Sequence, residues 1–468
     1  MPASDKANRP PLWRRILVAT AILAAIIILD VALTLALEPY GSNSDSVWYE
    51  YRQAIKEGEQ FETLVIGSSV AQDSLQPDAL NEILGTTSFC LASPGQSLKS
   101  SCKALEVALD ENPVKRVILG TSYTQLADVP WPNSNMAFTQ ALVINRPASE
   151  QIARYAGLLL DKDYVGTVSS LAFLAPFTLS HVDYTPSAIM QNVRNRLECA
   201  SPLEAQARID GAWRPLGHGY ANYEGQVNPE TFEVNDTGVD RYVFSDQRDQ
   251  GLNESELEGL EDICILCEKR GVELVVFAPP HPRFEVLSIA DAYPREMAQV
   301  MELITSHGGI FLDFNLARSE LYENRESDFI DAVHLNQAGA SRFSPILANT
   351  MRQIESGEDV GTLFFGYDQW EEFLSSLEAI YFVYFEEKQT EEGLALEAKA
   401  CAGSNIQVEY LFERQEADGS WTVLRDWSSD PTLVLSESGY RNVNVRVVAR
   451  RTGTTEPERY HYQTITLL

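Results

Sequence analysis

One stretch constrains this chain before any other: residues 16–37 are apolar apart from Thr20, Asp30 and Thr34. A helix rises about 1.5 Å per residue, so such a run crosses a hydrocarbon core about 30 Å thick. Lys6, Arg9, Arg14 and Arg15 precede it, and no Lys or Arg follows until Arg52. That asymmetry predicts a cytoplasmic tail over 1–15, a single transmembrane helix over 16–37, and an extracytoplasmic remainder at the cell membrane. A cleaved signal peptide is the competing expectation, but the run exceeds the usual apolar core of about 7–15 residues and Ala36-Leu37-Glu38-Pro39 makes a poor cleavage site. Asp30, near the outer end, is expected at the membrane interface, with a functional intramembrane carboxylate or a contact to a partner helix as the alternatives.

With 67 Asp+Glu against 36 Lys+Arg and a formal charge of −31, the chain lacks the basic face that phosphate binding needs, and no nucleic-acid partner is expected. Six cysteines (Cys90, Cys102, Cys199, Cys264, Cys267 and Cys401) are too few and too scattered for a disulfide framework in 468 residues. Cys264 and Cys267 form a C-x-x-C within a helix-patterned run, without a second Cys or His pair. Buried packing is the reading for them, and neither a metal site nor a cofactor is expected.

After a polar linker helix within 38–60, buried strands alternate with amphipathic segments, the pattern of a parallel α/β sheet. Residues 63–66, 114–119, 272–277 and 310–312 read as strands rich in Val, Ile and Leu, with 87–91 a weaker one. Helices over 77–84, 97–109, 254–270 and 294–306 supply the crossovers. Pro77 suits a first helical position, and Asn253 with Glu256 resembles a capping box. This domain is expected over 61–357, interrupted by an insertion at about 127–250 that contains apolar runs at 155–160 and 171–177 and a turn-rich stretch at 217–228. The insertion is open to two readings, a substrate cap or a surface for a partner protein. From 366 to 468 the pattern turns to about seven short strands with turn signals such as Asp418-Gly419, which predicts an all-β, immunoglobulin-like sandwich.

Two short motifs carry chemistry. The first strand runs into Gly67-Ser68-Ser69, so a serine sits at a strand's C-terminal end, the edge where parallel sheets bind ligands. Asp331-Ala332-Val333-His334 follows the last strand and precedes a helix. An acid three residues before a histidine can orient the imidazole through one ring nitrogen while the other takes a serine's proton. Either motif alone is common; their order and context together are specific.

That combination resembles blocks I and V of the SGNH (GDSL-type) serine hydrolases, over roughly residues 63–354. The resemblance implies an SGNH-like parallel sheet sandwiched by helices, with Ser69 as nucleophile, His334 as general base and Asp331 as its partner. Ser68 stands where the family's name-giving motif has Asp, as in membrane-associated relatives. Gly95, in Ser93-Pro94-Gly95-Gln96, matches the block II glycine, whose amide joins that of Ser69 in an oxyanion hole. Block III usually supplies Gly-x-Asn; here it reads Gly120-Thr121-Ser122, so Ser122 is at best a partial substitute for the amide donor. His281, in Ala278-Pro279-Pro280-His281-Pro282, also falls at this edge and is a candidate substrate contact, with a structural role as the alternative. Anchored members of this kind resemble polysaccharide O-acetyltransferases and the teichoic-acid D-alanylation protein. By resemblance, the expected activity is acyl-ester chemistry on a cell-surface glycan or polymer, by transfer or hydrolysis, with an integral-membrane acyltransferase as a further partner. A non-catalytic surface scaffold is the alternative.

Overall fold

The computed structural model describes residues 11–41, 43–128, 182–208, 214–222, 251–289, 292–435 and 441–466, with the single residues 149, 153 and 225. Lys6 and Arg9, the apolar runs at 155–160 and 171–177, and residues 223–224 and 226–228 of the turn-rich stretch lie outside these. Helix α1 (Leu12–Leu37) has no buried side chain and is long and apolar enough to cross a bilayer.

Among the described residues the central sheet has five parallel strands, β1 (Thr63–Gly67), β2 (Ser88–Cys90), β3 (Arg116–Gly120), β6 (Glu273–Ala278) and β7 (Ile310–Asp313), in the order β2-β1-β3-β6-β7. This is a doubly wound sheet, covered on both faces, which explains why its strands read as continuous apolar runs. On one face Leu64, Ile66, Val117, Leu119 and Val276 pack under α5 (Leu98–Glu111) and the helices Glu254–Arg270 and Tyr293–Ser306. On the other, Val65, Ile118, Val275 and Phe277 meet α3 (Ser69–Ser74), α4 (Pro77–Leu84) and the helix Gln337–Glu355. Helix α2 (Asn43–Glu57), in the stretch expected as a linker, is built into this core. Trp48 and Tyr51, both fully buried, form an aromatic cluster with Phe61 and Phe89.

Caps fall where the sequence predicts, with one difference. Asn253 accepts from the amides of Ser255 and Glu256, but the Glu256 side chain turns away to accept from Leu98 N at 2.9 Å, tying two helices together instead of closing a capping box. Cys264 and Cys267 are buried, and burial pushes their thiols up to about 12.

Within the expected insertion, the helix Pro186–Glu198 packs on the end of α1. Asn192 Nδ2 donates to the carbonyls of Ala36 (3.0 Å) and Glu38 (2.8 Å), its Oδ1 accepts from Tyr40 N, and Arg196 donates to Glu38 O at 2.7 Å. Carbonyls at the end of the apolar helix are thereby satisfied by side chains of the domain it carries. A hairpin, β4 (Arg214–Gly217) with β5 (Tyr220–Asn222), covers the edge strand β2: Cys90 N donates to His218 O, and Glu50 accepts from the amides at its turn.

Tyr367 and Trp370 still belong to the α/β body. Tyr367 donates to Asp313 and the Trp370 ring stacks on Tyr293. Beyond them stand seven antiparallel strands: β8 (Ile380–Thr390), β9 (Gly393–Ala402), β10 (Val408–Gln415), β11 (Trp421–Ser428), β12 (Thr432–Leu435), β13 (Arg441–Arg451) and β14 (Arg459–Thr466). They pair as two sheets, β12-β9-β8 and β11-β10-β13-β14, enclosing Val383, Phe385, Leu396, Phe412, Val445 and Val447.

Candidate active site

Two glycines decide where the site forms. Gly67 ends β1 with φ +133°, and a Cβ on its neighbour Gly120 would stand 2.6 Å from Ala71 Cβ. Without side chains at these positions, α3 starts directly against the ends of β1 and β3. Strand order reverses between β1 and β3, the point at which an open α/β sheet leaves a crevice. Ser68 is the N-cap of α3 and Ser69 its first residue, half-buried.

Ser69 Oγ lies 2.8 Å from His334 Nε2, and His334 Nδ1 lies 2.8 Å from Asp331 Oδ2. The other carboxylate oxygen of Asp331 accepts from the amides of Val333 and His334, each at 2.8 Å. Burial alone would raise the Asp331 pKa. The charge and hydrogen bond of His334, with the two amides, outweigh it and hold the carboxyl below its usual range. An ionised Asp331 fixes a proton on His334 Nδ1 and leaves Nε2 to accept from Ser69.

The other expected residues lie at the same edge in varied roles. Ser122 is buried after β3, and its Oγ accepts from Gln125 N at 3.1 Å as the N-cap of the short helix Tyr123–Ala127. Gly95 is exposed in the turn after β2, with φ +68°. His281 is 3% exposed, so it is packed and not displayed: Nδ1 donates to Pro279 O, its own amide donates to Asn315, and Asn324 donates to its carbonyl. Burial lowers its pKa, which keeps the ring neutral.

Two residues escaped the sequence reading. Gln125 joins all three loops, accepting from Ser68 Oγ (3.3 Å), donating to Gln96 O (3.1 Å) and bonding to Ser122 through its amide. Asp73, one helical turn after Ser69, is fully buried, and neither of its carboxylate oxygens has a hydrogen-bond partner among the described residues. Burial drives its pKa well up, opposed by His334 and reinforced by Asp331, so the neutral acid is favoured beneath the triad. No local pattern marks Gln125; Asp73 shares the face of α3 that carries Ser69, which was a usable signal.

Comparison with protein-family models and with curated proteins finds no match for this chain.

Proposed function

We propose that this chain is a membrane-anchored, SGNH-type serine esterase or O-acyltransferase acting on a cell-surface glycan or polymer. The observation that carries the reading is the continuous hydrogen-bonded series Ser69–His334–Asp331, 2.8 Å at each link, at the switch point of a parallel sheet. Ser69 Oγ attacks the ester carbonyl while His334 Nε2 takes its proton. His334 then returns that proton to the leaving alcohol, and acyl-Ser69 is left behind. In the second half, water or a sugar hydroxyl attacks the acyl carbon and gives its proton to His334, which passes it to Ser69 Oγ as the acyl–Ser69 bond breaks. Asp331 steadies the imidazolium in both halves. The amide of Ser69, at the start of α3, is one oxyanion donor; Gly95 N and the Ser122 hydroxyl are the others we assign.

The apolar α1 and the basic residues before it support a cytoplasmic N-terminus with the catalytic body outside, beside an integral-membrane acyl donor. The three-plus-four pairing of the C-terminal strands supports an immunoglobulin-like identity for that domain. A non-catalytic scaffold is the second reading, favoured by the use of the Ser122 side chain as a helix cap where the family has Asn. Release of acetate or transfer of acetyl from a small acetyl ester separates the two. Turnover that disappears in Ser69→Ala supports the enzyme, and identical rates in wild type and variant support the scaffold.

A further inference from the structure

We propose that the antiparallel sandwich is part of the reactive unit, with Phe382 and Arg459 as positioning residues that hold the loop carrying Asp331 and His334 against Ser69. The inference rests on the reading of Ser69 as the nucleophile.

The loop is well fixed internally. Phe329 and Leu335 pair across its neck, Ile330 N donates to His334 O at 3.0 Å, and Asp331 receives two amides of its own loop. Those bonds set the loop's shape and leave its place relative to Ser69 to the packing around it. Between Asp331 and His334 lies Ala332, 3% exposed, in a cluster with Phe284, Phe382 and Cys401, and with Val333 at its margin. Phe284 belongs to the α/β body, while Phe382 and Cys401 come from β8 and β9. The rings of Phe284 and Phe382 stand 5.0 Å apart, and Phe382 is fully buried. Half of the buried cluster under the triad loop is therefore supplied by the other domain.

A second contact grips the approach to the loop. Arg459, on β14, forms an ion pair with Glu326 and donates Nε to Tyr381 O at 3.0 Å. Glu326 opens the short turn Glu326–Asp328 that leads into the loop. Leu287 and Tyr381 extend the same contact into the neighbouring cluster around Leu316, Phe365 and Phe373, so the seam is continuous. Catalytic hydrogen bonds tolerate little displacement: a shift of about 1 Å costs on the order of 10²-fold in rate.

The test uses the full-length chain in detergent, with folding checked by circular dichroism. It measures kcat and KM on a small acetyl ester and the rate at which a fluorophosphonate modifies Ser69. Phe382→Ala is expected to lower kcat and the modification rate by about 10²-fold with little change in KM, and Phe382→Leu to recover most of both. A folded Phe382→Ala chain with wild-type kcat, or one whose KM alone rises, overturns the proposal. Should Phe382→Ala not fold, Arg459→Gln decides. Reduced modification of Ser69 in it supports the proposal, and a wild-type rate overturns it. A wild-type Ser69 that the probe never modifies instead overturns the acyl-ester reading, and this proposal with it.

Discussion

At the scale of single residues, Asp331 carries the clearest quantitative consequence. An amide at this position cannot hold the same tautomer of His334 or steady its positive charge, so Asp331→Asn is expected to reduce kcat by about 10⁴-fold. The checks are steady-state kinetics on an acetyl ester beside a thermal unfolding curve. Loss of activity with an unchanged unfolding midpoint is the predicted outcome. Ser69, Asp331 and His334 were legible because their chemistry is local: a serine after a strand, and an acid and a histidine three residues apart in one loop. Gln125 was not, since its partners Ser68 and Gln96 are distant in sequence and nothing near it in the chain marks the contact. His281 shows the converse. Its loop was placed at the right edge, yet its hydrogen bonds to Asn315 and from Asn324 are made with a segment that no spacing rule connects to it.

Elements were legible where burial is uniform and less so where they end. The helices Pro77–Leu84 and Glu254–Arg270 stand at their expected limits because Pro77 opens one and Asn253 and Gly271 bound the other. The third strand begins two residues later than its apolar run, at Arg116, after the Lys115 amide has bonded to Glu62 O. The junction between α1 and the helix Pro186–Glu198 was not legible, because it depends on one asparagine bonding backbone groups about 150 residues away. Asn192→Ala would remove the hydrogen bonds to the Ala36 and Glu38 carbonyls and the one from Tyr40 N, at a cost of about 1–3 kcal/mol. Amide exchange across that helix is therefore expected to quicken by about tenfold or more, with the exchange of β1 and β3 unchanged. Equal exchange in wild type and variant would show that the junction carries no such strength.

For the molecule as a whole, two groups shifted by desolvation tilt stability in opposite directions. Burial raises Glu256 from 4.5 to about 7, so the native state holds a proton that the unfolded chain releases, and this contribution is lost as pH rises from about 4.5 to 7. His461, packed beside Phe382 and Phe385, is lowered by burial to about 4. There the unfolded chain binds the extra proton, and stability is lost as pH falls from about 6.5 to 4. Each full shift corresponds to about 3 kcal/mol. Urea midpoints across pH should show Glu256→Gln relieving the loss on the neutral side and His461→Phe relieving it on the acid side. Domain order and the class of each domain were legible from the change in apolar pattern near residue 360. The seam between the domains was not, because Phe382 and Ala332 are ordinary apolar residues whose meeting depends on how two complete domains pack.

The most direct measurement is the intact mass of the full-length chain after exposure to a fluorophosphonate, followed by peptide mapping. One adduct on Ser69, lost in Ser69→Ala and strongly slowed in His334→Ala, is the predicted result. No adduct on wild-type Ser69, or equal modification in His334→Ala, would contradict a reactive triad at this edge.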